Sequence, residues 1–206
     1  MTLIKTVKKD DATGRLKTLY DRIQGPDGRV DNILMAHILR PHSLEGHMAL
    51  YKNVLHHNKN TLPKWLLETI GVYVSLLNQC AYCVDHHFSG LQRLLNNERR
   101  ADALKTALDQ AAQGGELVCD DLTDKEILAL GYVRRLTNAP NDINDADITS
   151  LRAHGFSDGE ILEINQVTAY FAYANRTVLG LGVTTDGDTL GLSPNNSDNH
   201  DDWSHQ

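Results

Sequence analysis

The sequence predicts an all-α protein. Apolar residues recur at spacings of three and four along most of the chain, as they do on one face of a helix. The helix-capping pattern Ser/Thr-x-x-Glu occurs twice, and no alternating run of apolar and polar residues with hairpin turns is present. The 206 residues are enough for one domain with its own buried core.

Five helices are predicted in the first half of the chain. The turn Gly25–Gly28 ends the first helix, and Asp31 is placed to cap the second. Pro63 stands near the first turn of the fourth helix, where proline is tolerated because that backbone N–H has no helical partner. The predicted ranges are Ala12–Ile23, Ile33–Ile38, Ser43–His57, Lys64–Asn78 and Tyr82–Leu95.

Four further helices are predicted in the second half. Thr123 with Glu126, and Ser157 with Glu160, have the spacing of a capping box, in which the hydroxyl and the carboxylate each bond the other residue's backbone N–H. Gly155 stands just past the end of the eighth helix, where glycine is favoured. The predicted apolar segments are Asp102–Ala112, Ile127–Val133, Asp145–Ala153 and Ile161–Leu179.

A faint internal repeat relates the fourth and ninth helices. Glu68 stands twelve residues before Cys80, and Glu163 stands twelve residues before Asn175. Two similar helix pairs related by a pseudo-twofold axis would explain this spacing. A chance match between two amphipathic helices explains it about as well.

Charge and composition exclude several classes of function. The formal net charge of −7 argues against a nucleic-acid partner, and no apolar run is long enough for a membrane span or a signal peptide. A cytoplasmic location is therefore expected. Residues 1–183 are predicted to form the helical domain. Residues 184–206, with five Asp and no Lys or Arg, are predicted to form a disordered acidic tail.

Chemistry is indicated by Cys80 and Cys83, which stand three apart at the predicted start of the fifth helix. Free N–H groups and the helix dipole stabilise a thiolate at such a position, so the pKa of Cys83 is expected near 6–7, below the ordinary thiol value of about 8.5. His87 follows Cys83 by one helical turn and can exchange a proton with it. Glu68 lies on the preceding helix, and an antiparallel turn would bring it against His87 as the orienting carboxylate.

This stretch, Glu-x(11)-Cys-x-x-Cys-x(3)-His, resembles the motif of the AhpD-like alkylhydroperoxidase and carboxymuconolactone decarboxylase family. The flanks agree: Val30–Leu34, Leu62-Pro63, Asn175-Arg176 and Gly180–Val183, the last as in the peroxidase-related branch. The resemblance implies a helical bundle that assembles as a homotrimer or homohexamer. It also implies reduction of hydrogen peroxide or organic hydroperoxides without a cofactor or metal, with a thiol or dithiol as the electron donor.

The resemblance also implies roles for four residues. Cys83 would attack the peroxide, and Cys80 would condense with the resulting sulfenate to form a redox-active disulfide. Glu68 and His87 would relay protons. Tyr82, between the two cysteines, and His57 are weaker candidates for the substrate pocket, His57 being placed also to cap the end of its helix.

The same residues also allow other structural and functional interpretations. A structural zinc site is one alternative, but Cys80, Cys83 and His87 supply only three ligands from one helical segment, which leaves a tetrahedral site incomplete. His86 points about 100° away from His87 on a helix. His86 is therefore expected at the surface or at a subunit contact, and Cys119 is expected to be a free thiol without a role. On the same scaffold, the alternatives are a carboxymuconolactone-decarboxylase-type lyase and a non-catalytic redox-sensing or metal-binding oligomer.

Overall fold

The structure, a computed structural model, describes residues 2–195, 199, 202, 203 and 205. Within these residues the chain is all-α, and its only β pairing is an isolated bridge between Pro194 and His205. The helices are α1 Gly14–Ile23, α2 Asn32–His37, α3 Pro41–Tyr51, α4 Lys64–Leu77, α5 Ala81–Leu95, α6 Glu98–Ala112, α7 Asp124–Asn138, α8 Asp145–Ala153 and α9 Asp158–Leu181. The predicted all-α class is confirmed.

Most helix limits lie within a few residues of the predicted ones because local signals set them. Both predicted capping boxes are formed, at Thr123 with Glu126 and at Ser157 with Glu160. The third predicted helix divides: α3 begins at Pro41 and continues as a π-helical turn, Lys52–His56. Pro41 opens this helix as its first residue, where its fixed φ suits the helix.

Helix α4 is the centre of the bundle and packs against α5, α6, α7 and α9. Its apolar residues point in every direction, so it has no polar face to offer to water, and Leu67, Ile70 and Val74 are fully buried. Gly71 allows α9 to come close, because a Cβ there would clash with the ring of Phe171. This close approach places the middle of α9 beside the middle of α4.

The described residues after α9 contact the helical domain. Trp203 is buried, with the guanidinium of Arg22 stacked 3.8 Å from its ring centroid. The buried ammonium of Lys52 donates to the carbonyls of Asn199 and Asp202, each at 2.8 Å. An aromatic anchor and a buried cation therefore hold this part of the chain, and residues 196–198, 200, 201, 204 and 206 of the predicted tail lie outside the described residues.

No helix among the described residues combines the length and the apolar character needed to cross a bilayer.

Candidate active site

Helices α4 and α5 run side by side and bring Glu68 to His87. The short connection between them turns sharply at Gln79, which has a positive φ of 57°. Glu68 lies eleven residues before Gln79 and His87 eight residues after it, so the antiparallel pair brings their side chains together. His87 Nδ1 donates to Glu68 Oε2 at 2.8 Å, and Glu68 is only 3% exposed. The predicted carboxylate–imidazole pair is present.

Aromatic rings and a glycine hold this pair in place. The His87 ring contacts Phe171 edge-on at 4.5 Å between centroids, and Tyr51 edge-on at 6.0 Å. Gly90 of α5 also lies beside the Glu68 carboxylate. A carboxylate bonded to Nδ1 fixes the ring orientation and leaves Nε2 to exchange protons. The environment therefore suits a proton relay.

Cys80 and Cys83 are free thiols in close contact. Cys80 is the N-cap residue of α5, and Cys83 lies within the first turn of that helix. Their sulfurs are 2.9 Å apart, whereas a disulfide bond is about 2 Å long. Both are buried, at 0% and 3% exposure. A small movement would join them.

The order of acidity within the pair differs from the expectation. The hydrogen bond between the two sulfurs lowers the pKa of Cys80 and raises the pKa of Cys83, and burial raises the pKa of Cys83 further. Both effects act against the ready ionisation that the start of the helix predicts for Cys83.

Asn175 of α9 secures the thiol end of the site. Its amide donates to Ser75 Oγ at 3.1 Å and its oxygen accepts from Asn78 at 3.0 Å, which ties α9 to the end of α4. A hydrogen bond from Asn175 also lowers the pKa of each cysteine. Asn175 therefore joins α9 to the end of α4 beside the two thiols.

Cys83 and the relay pair line one narrow, partly open cavity. Cys83 shares the cavity wall with Glu68, His87, Tyr82 and His86. The volume that the centres of water molecules can occupy is about 40 Å³. A second, larger cavity of about 450 Å³ is lined by Cys80 and not by Cys83. The two sulfurs therefore meet between two cavities, and only the Cys83 side contains the relay.

Tyr82 belongs to the cavity, as predicted, and is held by a residue from the far end of the chain. Its hydroxyl donates to Asp188 Oδ2 at 2.7 Å and accepts from the N–H of Ile33 at 3.1 Å. His86 also donates to Asp188 Oδ2, at 3.2 Å, and is only 8% exposed. The expectation of a surface position for His86 is therefore wrong: Asp188 provides a buried partner that the local sequence does not reveal.

His57 does not line this cavity, so the prediction for it is wrong. His57 follows the π-helical turn, and its Nδ1 accepts from the N–H of Lys59 at 3.2 Å, a local bond at the helix end. The cavity contains instead several residues that sequence reasoning missed as site residues: Asp31, His47, Tyr51, Tyr170 and His205. They come from four separate segments of the chain, and no motif links them.

Asp31 lies in the cavity wall and was predicted only as a helix cap. It occupies the N-cap position of α2, but its side chain makes no capping hydrogen bond. Its pKa is raised to about 6, mainly by burial; the charge of His86 opposes this rise and the nearby Asp188 adds to it. A carboxyl group with a pKa this far above its ordinary value is typical of functional sites.

This raised pKa predicts a pH-dependent stability. Because the folded state binds the Asp31 proton more tightly than the unfolded chain, this stabilisation is fully present below about pH 4 and is lost as the pH rises through about 6. Asp31→Asn, neutral throughout, is expected to be about 2–3 kcal/mol more stable than wild type at pH 8 and nearly equal at pH 4. Urea unfolding at the two pH values measures this, and an equal effect at both would contradict it.

No group of three or more His, Cys, Asp or Glu side chains in the described part of the chain is arranged to hold a metal ion.

No family model and no curated protein matches the chain, but solved structures do. The alkylhydroperoxidase AhpD core from Ralstonia eutropha JMP134, an uncharacterized peroxidase-related protein, superimposes with a TM-score of 0.74 at 24% identity. The match covers 89% of this chain and 91% of that one. This protein has the AhpD-like fold. A peroxidase-related protein from Silicibacter sp. TM1040, also uncharacterized, matches the AhpD-like fold over the same shares with a TM-score of 0.71 at 24% identity.

The AhpD-like fold is shared by a protein with a different named activity. The debrominase Bmp8, in complex with 2,3,4-tribromopyrrole, superimposes with a TM-score of 0.67 at 17% identity. That match covers 89% of this chain and 91% of the debrominase. The resemblance seen in the sequence is thus confirmed for the fold, and the fold supports more than one chemistry.

Proposed function

We propose that the protein is a thiol-dependent peroxidase that reduces hydroperoxides through Cys83 and Cys80. The observation that carries this proposal is the shared cavity: Cys83 lies in its wall together with the bonded pair Glu68 and His87. A second thiol lies 2.9 Å from the first, which is what a reversible disulfide requires. Nucleophile, proton relay and resolving thiol are thus together in one buried place.

The first step oxidises Cys83. His87 takes the proton of Cys83, which leaves the Cys83 thiolate facing the cavity. Its sulfur bonds to the terminal peroxide oxygen while the O–O bond breaks. The other oxygen leaves as alkoxide, or as hydroxide from hydrogen peroxide, and takes a proton from protonated His87. Cys83 is now a sulfenic acid, and the peroxide has gained two electrons.

The second step forms the disulfide. The sulfur of Cys80 then attacks the sulfur of the Cys83 sulfenic acid across their contact. The S–S bond forms, and the departing hydroxide takes the proton of the Cys80 thiol and leaves as water. The net reaction converts two thiols and one hydroperoxide into a disulfide, an alcohol and water. A dithiol from outside must supply two electrons and two protons to reopen the bond.

Glu68 supports this relay by charge and by geometry. It accepts the Nδ1 proton of His87, which orients the ring and stabilises the imidazolium form that donates to the leaving oxygen. Burial of Glu68 makes this interaction stronger than it would be in water. The expected homotrimer or homohexamer and the cytoplasmic location stay predictions.

The test is thiol counting in the fully reduced protein. One equivalent of hydrogen peroxide, added without air, should remove two of the three thiols together, and mass spectrometry should find them as a Cys80–Cys83 disulfide. Cys119→Ser is the control, because that residue lies outside both cavities, and it should react at the same rate. Loss of a single thiol, or no loss within minutes at millimolar peroxide, would contradict the proposal.

A further inference from the structure

A segment after α9 closes the cavity from outside. We call residues Thr184–Asn195 the C-terminal strap. Its first part is tied to the start of α2: the side-chain amide of Asn32 donates to the carbonyls of Thr184 at 2.8 Å and Asp186 at 3.0 Å. Arg29 donates to the carbonyl of Gly187 at 3.2 Å. Three hydrogen bonds from other parts of the chain to backbone carbonyls of the strap therefore hold its first part in place.

Asp188 anchors the strap directly to the site. Its carboxylate accepts from Tyr82, from His86 and, with both oxygens at 3.1 Å, from the N–H of Asn32. The Asp188 side chain is only 3% exposed. A buried carboxylate with these donors fixes the position of the residues that follow, because removing it would leave several donors unsatisfied.

Two residues further along complete the enclosure. Gly191, with a φ of +79°, lies directly on α5: a Cβ at this position would be 3.0 Å from Ser89 Cβ and 3.2 Å from the nitrogen of Gly90. Leu192 comes next, and its side chain lines the cavity and packs beside Gly25. Leu190, in contrast, is 43% exposed and lies outside the cavity. Leu192 is thus the wall residue of the strap.

The enclosed space is small and partly polar. A volume of about 40 Å³ open to water-sized centres holds a few such molecules, since one water needs about 10–15 Å³ on this measure. His47 Nδ1 and His205 Nδ1 are buried in its wall and find no hydrogen-bond partner among the described residues. An occupant that satisfies these nitrogens must be small and must form hydrogen bonds.

We infer that the C-terminal strap restricts the substrate to small, polar peroxides such as hydrogen peroxide and excludes bulky organic hydroperoxides, with Leu192 setting the size limit. This inference rests on the proposed function and names its substrate class. An eleven-heavy-atom molecule such as cumene hydroperoxide does not fit while the strap is in place. Hydrogen peroxide fits, and its O–H groups can form hydrogen bonds within a wall that contains polar side chains.

The test compares two peroxides with three forms of the protein. We expect wild type to reduce hydrogen peroxide with a kcat/KM about 100-fold or more above that for cumene hydroperoxide. Leu192→Ala should raise the ratio of cumene hydroperoxide to hydrogen peroxide activity by about tenfold. Leu190→Ala, the matched leucine on the outer side, should leave the ratio unchanged. Similar activity of wild type on both peroxides, or equal effects of the two variants, would overturn the inference.

A second measurement separates this inference from the proposed function. Mass spectrometry of the Cys83 peptide measures how fast this thiol is labelled by the small reagent methyl methanethiosulfonate and by the bulky reagent pyrenyl maleimide. Each rate is divided by the rate at which the same reagent labels free glutathione. Leu192→Ala should speed the bulky reagent about tenfold and leave the small one unchanged. If the protein reduces neither peroxide, the proposed function fails, and this labelling still decides the size limit. Equal relative rates for both reagents in wild type would overturn it.

Discussion

Cys83→Ser is expected to abolish peroxide reduction, with a loss in rate on the order of 10⁴-fold or more. Serine keeps the shape of the side chain but cannot form the sulfenic acid through which the two electrons pass. No other thiol in the described structure lines the cavity that holds Glu68 and His87. Peroxide consumption, followed continuously with a dithiol reductant in excess, measures this loss.

Cys80→Ser provides the matched comparison, because it removes the resolving sulfur and keeps the attacking one. This variant should consume one equivalent of peroxide and then stop, with a sulfenic acid on Cys83 that a dimedone probe traps. Circular dichroism should show that both serine variants keep the helical content of wild type. A dimedone adduct on Cys80 in the Cys83→Ser protein would contradict the assigned order of attack, and the lower pKa of Cys80 makes this a demanding test.

Glu68→Gln is the second large effect expected. Glutamine preserves the size of the side chain and can still accept from His87 Nδ1, but it removes the negative charge that stabilises the imidazolium form. Because the pair is buried, that charge acts with little screening. We expect kcat/KM for hydrogen peroxide to fall by about 100-fold, within the range for loss of a positioned acid–base group.

Glu163→Gln is the control for this change. Glu163 stands at the corresponding place in the sequence repeat, but its carboxylate accepts from the backbone N–H groups of Thr61 and Leu62. Its replacement should leave the peroxidase rate within about twofold of wild type, although it weakens a structural hydrogen bond. Equal losses in the two variants would show that Glu68 acts on stability alone.

The contrast between these two glutamates shows how far sequence reasoning reaches. The pattern around Glu68 predicted its burial against His87, because a helix with almost no polar face must bury its one carboxylate beside a partner. The same reasoning could not predict the acidity of Cys80 and Cys83. Their pKa values depend on a distance of 2.9 Å between sulfurs and on the removal of water, and neither is encoded in residue spacing.

Asp188 is the clearest case of a site residue whose position the sequence could not predict. It stands over 100 positions from both Tyr82 and His86, in a segment whose composition predicts disorder. Only the folded chain shows that this carboxylate meets two buried donors beside the thiols. The prediction for His57 has a related history: the helical pattern of the sequence extends to this residue, but the π-helical turn ends one residue earlier, at His56.

Local sequence signals are enough to predict the helices, their caps and the spacing of Glu68, Cys80, Cys83 and His87. These follow from interactions within a few residues, where helical geometry fixes which side chains meet. The packing of distant segments sets which cavity each sulfur faces and places the C-terminal strap over the site. Those properties arise from contacts between distant segments, and they depend on how the packed helices exclude water.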